Sequence, residues 1–268
     1  MDRAQLLKGK RAILFGAGGS FGSVVAREFA AEGADVFLSG RSRSSVEDVA
    51  KHITADGGTA HTAVIDAEDA TAVDAYIDTI AREARSIDVV FNLIGPRLTE
   101  YGGGKPAMQL SVDEFMAPLV TLVKSQFITS RAAARHMVQQ RSGVILFVTG
   151  SPARPHTPGA TAIGAAFGAI ENFTRNLAQD VSPCGVRVVC VRTAATPETR
   201  TIQELQASMT AAMNIPQEQV FKTLADMTLL KVSPTIADLA RTAAFAASDN
   251  ARMMTGTVLN SSAGAAID

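Results

Sequence analysis

The chain has 268 residues, 47% of them hydrophobic, and a formal net charge of −1. That is enough for one fully buried core without demanding a second domain, and with no Lys/Arg run to grip phosphate backbones or acidic membranes, nucleic acid is excluded as an expected partner. The opening MDRAQLLKGKR has no apolar signal core, and no stretch reaches the ~18 apolar residues of a membrane span, so a cytoplasmic protein with no membrane attachment is expected.

Residues 11–15, RAILF, form a short apolar run that breaks into the glycine cluster GAGGSFG. Val24, Val25, Ala26, Phe29 and Ala30 then recur at helical spacing, which reads as strand, tight turn, helix. The pattern repeats with DVFLS (35–39) and a helix opened by Ser44 and Glu47 at capping-box spacing. It repeats again with TAVI (62–65) and a helix whose Ala70, Val73, Ile77, Ile80 and Ala84 share one face. Three β-α units in a row imply a parallel sheet with helices on both sides.

IDVVFNLIG (87–95) predicts a fourth strand, and the Gly- and Pro-rich PRLTEYGGGKPAMQL after it a loop. Ser111 with Glu114 caps a long helix through Met137; GVILFVT (143–149) is a fifth strand, 160–181 a helix, and VRVVCV (186–191) a sixth strand. A polar helical stretch (198–230), a helix opened by Ser233-Pro234 and a strand near TGTVLN (255–260) follow. The fold class is therefore α/β, a single doubly wound parallel-sheet Rossmann-type domain over residues 1–268. Cys184 and Cys190 lack both CxxC spacing and a nearby histidine pair, so no metal site and no disulfide framework is expected.

A strand that ends in glycines and feeds a helix N-terminus is built to hold phosphate, because backbone N–H groups and the helix dipole favour an anion there. Gly16, Gly18, Gly19 and Gly22 supply such a turn, although a tight strand-to-helix turn that binds nothing has the same composition. At the end of the second strand stand Gly40, Arg41 and Ser42, where a dinucleotide site meets the adenosine ribose. A carboxylate would grip a free 2′-OH; an arginine suits a 2′-phosphate, which favours NADP(H) over NAD(H), the alternative being a solvated arginine at a helix start.

With these residues in view the chain resembles the short-chain dehydrogenase/reductase family from end to end. The family's Thr-Gly-x-x-x-Gly-x-Gly turn corresponds to FGAGGSFG, with Gly16 and Gly22 matched, Phe15 and Ser20 at the threonine and middle-glycine positions, and Phe21 before the last glycine. Its aspartate after the third strand corresponds to Asp66, and its Asn-Asn-Ala-Gly stretch to NLIG, keeping Asn92 and Gly95. The resemblance implies a cofactor site of Gly16, Gly18, Ser20, Phe21, Gly22, Arg41, Ser42, Asp66, Asn92 and Gly95.

It also implies an Asn-Ser-Tyr-Lys tetrad, and here the chain departs. Matching TRNLAQDV (174–181) to the family's helix puts Ile163 and Phe167 at the tyrosine and lysine. The serine position falls on Gly150, between Thr149 and Ser151, and SRAAARHM sets the asparagine position at Leu122. Thr193-Ala194 replaces the usual Pro-Gly after the sixth strand. The chain's only tyrosines, Tyr76 and Tyr101, cannot fall on that helix.

Residues 101–105, YGGGK, carry the Tyr-x-x-x-Lys spacing off the helix, where the same count fixes no geometry. Tyr101 and Lys105 remain weak candidates for substrate contact against the alternative of a mobile surface loop left unordered by its glycines, and Arg97, Lys124, Arg154 and His156 are further polar candidates, each against the alternative of a surface or structural residue. The expected function is an NADP(H)-binding oxidoreductase with a nonstandard active site, either with another proton donor or reducing an activated double bond. The alternative is a catalytically inactive cofactor-binding or regulatory relative. A small-molecule ligand and a homo-oligomer, dimer or tetramer, built on the helices at 111–137 and 160–181 are expected partners.

Overall fold

A computed structural model describes residues 5–155, 157–213 and 216–267; His156 lies outside the described residues. The strands are β1 (Arg11–Phe15), β2 (Asp35–Gly40), β3 (Thr59–Val64), β4 (Val89–Asn92), β5 (Gly143–Gly150), β6 (Val186–Thr193) and β7 (Thr257–Asn260). They form one seven-stranded sheet in the order β3-β2-β1-β4-β5-β6-β7, every pairing parallel. The order reverses between β1 and β4, and in such a sheet the crevice at the carboxyl ends beside that reversal is where ligands bind.

The helices are α1 (Ser20–Ala31), α2 (Arg43–Ala55), α3 (Ala70–Ala84), α4 (Val112–Pro118), α5 (Ser125–Gln140), α6 (Thr161–Val181), α7 (Arg200–Met213), α8 (Gln217–Asp226) and α9 (Ile236–Ala247). Alternation along the strands divides the core into two layers. Ala12, Leu14, Val36, Leu38, Val189 and Val191 pack under α1, α2 and α9, while Ile13, Phe15, Ile145, Phe147, Val188 and Cys190 pack under α3, α5 and α6.

Several local expectations shift. Ser42, not Ser44, caps α2: its backbone is extended and its Oγ accepts the Ser45 N–H at 3.4 Å, while Glu47 pairs with Arg43. β3 runs over 59–64 rather than 62–65, because as an edge strand it buries little of either face and its apolar pattern is correspondingly weak. Thr235, not Ser233-Pro234, opens α9, in a capping box with Asp238. The box at Ser111 and Glu114 forms as read, but the helix it opens is wound as a π-helix over 119–124 before α5 resumes and ends three residues beyond Met137.

The loop after β4 is not the unordered segment its glycines suggest. Residues 98–101 form a 3₁₀ turn that buries Leu98 and Tyr101 in the second core layer. Lys105 pairs with Glu114, and the Gly104 N–H donates to the Gly159 carbonyl. Two of the three glycines, Gly102 and Gly104, take positive φ to make the turn, and a Cβ at Gly159 would lie 2.5 Å from Gly104 Cα. Glycine here serves close packing rather than mobility.

Candidate functional site: a two-ended cleft

The glycine turn is fixed by close approach. Gly16 has φ +73°, and a Cβ on Gly22 would meet the Gly16 carbonyl oxygen at 2.1 Å, so α1 starts directly on the turn. A Cβ on Gly18 would lie 2.6 Å from the Ser45 side chain, which locks the turn against α2. Gly19 caps α1 without a side-chain hydrogen bond, and the first turn holds no acidic residue, so nothing of the helix's own opposes an anion at its N-terminus. Ser20 Oγ accepts the Arg200 N–H at 3.4 Å, bringing the start of α7 over the turn, and Phe21 packs against the first core layer.

At the end of β2, Arg41 is exposed and, among the described residues, has no hydrogen bond or ion pair. Ser42, Ser44 and Ser45 gather hydroxyls beside it at the α2 N-terminus. Asp66 is exposed beyond β3 and accepts the Glu68 N–H at 3.0 Å. Asn92, 1% exposed, is tied in on every side: its amide donates to Ser125 and Thr129, its Oδ1 accepts the Ile94 N–H, and its carbonyl accepts from Gln126. It therefore sets the path of the chain leaving β4, where Gly95 is exposed with open space around it.

Towards β5 and α6 the carboxyl edge of the sheet is apolar, and its residues pack into the core. Leu122 is buried in the π-wound segment, and Ile163 is buried on the first turns of α6. Gly150 ends β5, and a Cβ there would meet the Phe167 ring at 2.8 Å, so the ring occupies the room a side chain would need. Leu122, Gly150, Ile163 and Phe167 offer no group that ionises.

Tyr101 and Lys105 do not act as a pair. The Tyr101 phenol is pushed up to about 12 by burial and then by the Glu204 carboxylate, whereas a neighbouring ammonium would lower it. Lys105 is committed to Glu114, whose carboxyl its hydrogen bond holds below the usual range. Lys124 faces Glu68 at 3.8 Å.

Two charged constellations escape the sequence reading. Glu204 of α7 accepts the Leu98 N–H at 3.1 Å and the Arg200 Nε at 3.0 Å, and lies 3.6 Å from Arg97, fastening α7 to the loop after β4. Deeper, Glu171 on α6 takes a two-pronged bond from Arg192 on β6, Nε–Oε1 2.7 Å and Nη2–Oε2 2.9 Å, both residues buried. Thr149 Oγ1 donates to the same carboxylate at 3.1 Å, and the Cys190 thiol beside it is pushed up to about 12 by burial. A signal existed: Arg192 interrupts an apolar strand, and Glu171 stands two turns after Ile163 and one after Phe167, on the side of the helix that faces the sheet.

Residues 16–266 match the profile of the family described as enoyl-(acyl carrier protein) reductase, and the chain belongs to this family, within the short-chain dehydrogenases/reductases. It is similar to gluconate 5-dehydrogenase of Gluconobacter oxydans, 30% identical over 182 residues, 68% of this chain and 69% of that one. Over nearly its whole length it is 28% identical to versicolorin reductase of Emericella nidulans, covering 97% of this chain and 96% of that one. Among solved structures, NAD+-bound xylitol dehydrogenase superposes with a TM-score of 0.86 at 24% identity, over 95% of this chain and 98% of that one. A putative NAD(P)-dependent gluconate 5-dehydrogenase from Beutenbergia cavernae with bound NADP gives 0.84 at 25%, over 98% of this chain and 99% of that one.

Proposed function

We propose that the protein is an NADPH-dependent oxidoreductase that delivers hydride to an activated carbon–carbon double bond and leaves protonation of the product to solvent. The carrying observation is that Leu122, Gly150 and Ile163 are buried in the core, with the Phe167 ring against Gly150, so that these positions offer no ionisable group, while the glycine turn at the start of α1 is closely packed. Carbonyl reduction makes an alkoxide that needs a proton as it forms; hydride addition conjugate to a carbonyl makes a delocalised enolate that water protonates afterwards. The family profile's description and the cofactor-bound relatives support this reading.

In it, the backbone around Ser20, Phe21 and Gly22 holds the diphosphate, Arg41 with Ser42 takes the 2′-phosphate, Asp66 lies towards the adenine, and Asn92 and Gly95 shape the wall near the nicotinamide ribose. The bound nicotinamide would supply the hydride, and the apolar residues offer no proton, which leaves protonation to water once the enolate has formed. NADPH consumption with enones and saturated ketones of matched size tests it: enones are consumed and ketones are not. Tight NADPH binding with no consumption by any acceptor favours the catalytically silent alternative, a cofactor-responsive binder, a reading to which α7 lying over the glycine turn also lends itself.

A second copy of the chain is the proposed cover for the groove between α5 and α6, where Phe127 is half exposed beside Arg131, Ala134, Phe173 and Leu177. Light scattering on wild type and Phe127→Glu tests this; the account expects a dimer or tetramer that the charge disrupts. A cytoplasmic location belongs to the same proposal and is checked by cell fractionation. Among the described residues no helix is long and apolar enough to cross a membrane.

A further inference from the structure

We infer that Arg154 is the residue that selects the substrate, and that the substrate carries an anionic group, a carboxylate or a phosphate, near its reacting double bond. The inference rests on the proposed reading for the reaction and on independent geometry for the residue. Arg154 follows the turn that leaves β5, at the carboxyl edge of the sheet where the crevice lies. The turn itself is pressed onto the start of α6, since a Cβ on Gly164 would lie 2.9 Å from the Pro152 carbonyl oxygen.

The Arg154 side chain is 48% exposed, yet its Nε lies 3.6 Å from Oε2 of Glu171, a carboxylate only 3% exposed. Arg192 grips the same carboxylate from the sheet side and is itself fully buried. Two guanidiniums therefore share one carboxylate, one sealed in the core and one half exposed to solvent. Burying an ion pair is unfavourable unless geometry repays it, and here the repayment is a rigid platform of Glu171, Arg192 and Thr149 directly behind Arg154.

A long arginine that would otherwise wander is thereby aimed. Its planar fork suits bidentate recognition of carboxylate or phosphate, and an oriented donor loses less freedom on binding than a mobile one. The Phe167 ring, packed against Gly150 where the same turn begins, supplies an apolar surface without competing charge. Arg154 is thus placed to hold the anionic end while the apolar surface covers the alkene, and Glu171 acts only through it, as a positioning residue.

The test uses cinnamate and cinnamamide, which differ by a charge and little in shape, titrated calorimetrically into the full-length protein with and without NADPH. Wild type is expected to prefer cinnamate by about tenfold or more. Arg154→Gln should equalise the two probes without changing NADPH affinity, and Arg154→Lys should keep part of the preference. Equal binding of both probes by wild type, no binding of cinnamate at all, or a preference that survives Arg154→Gln overturns the inference. Failure of NADPH itself to bind counts against the proposed function and leaves the probe ratio in the cofactor-free protein to decide on Arg154.

Discussion

The two ends of the cleft are built by the same sheet and are chemically opposite. Around β1 and β2 the chain offers backbone N–H groups, hydroxyls and an exposed arginine, held by glycines that have no room for a Cβ. Around β5 and α6 it offers leucine, isoleucine and phenylalanine, with the charge withdrawn beneath them into the bond between Glu171 and Arg192. The proposed reading follows from this contrast: a site that holds a dinucleotide and offers no proton-transfer group suits chemistry in which hydride moves and the protein moves no proton.

The largest effect is expected at the glycine turn. Gly22→Ala puts a methyl group 2.1 Å from the Gly16 carbonyl oxygen. Forced overpacking should lower stability by about 3 kcal/mol and abolish NADPH binding, read by denaturant melts and cofactor fluorescence. A variant that binds normally would show that the turn is not the phosphate cradle.

Arg41→Ala should weaken NADPH by about tenfold to a hundredfold and leave NADH unchanged, the loss of a charge-assisted bond worth ~1.5–3 kcal/mol. Equal wild-type affinities for the two cofactors would remove the basis for the NADPH assignment.

At the apolar end a double-mutant cycle sharpens the contrast. Gly150→Ser places its Cβ 2.8 Å from the Phe167 ring and should cost about 1–3 kcal/mol alone. Combined with Phe167→Ala the serine should fit, giving a coupling of about 1 kcal/mol in chemical denaturation. Additive losses would mean that the ring and Gly150 do not meet.

The smallest effect concerns the loop after β4. Tyr101→Phe should change stability by less than about 1 kcal/mol and leave NADPH binding intact, because the phenol faces Glu204 and makes no hydrogen bond among the described residues. Its folded pKa lies above the unfolded value, so the phenol favours the folded state up to the ordinary tyrosine range near ~10, and this contribution is lost as pH rises to about 12. Alkaline stability curves that coincide for wild type and Tyr101→Phe would contradict the burial.

The order of strands and helices was legible because period and punctuation agree along most of the chain. RAILF into glycines and the box at Ser111 and Glu114 each specify their element locally. The misses arise where tertiary contact decides: three serines competed to cap α2, and the glycines of the loop after β4 looked mobile because Gly159, which packs on Gly104, lies far along the chain. At the candidate site the four tetrad positions are proposals that rest on resemblance. The bond between Glu171 and Arg192 could not be foreseen, since nothing local pairs a helix residue with a strand residue 21 positions later.

Reduction of β-acetylacrylate distinguishes the two routes, since it carries an activated double bond, a ketone and a carboxylate in one small molecule. After incubation with the protein and NADPH, proton NMR should find levulinate, the product of hydride addition to the double bond with the ketone untouched. The allylic alcohol, made by reducing the ketone, would contradict the account.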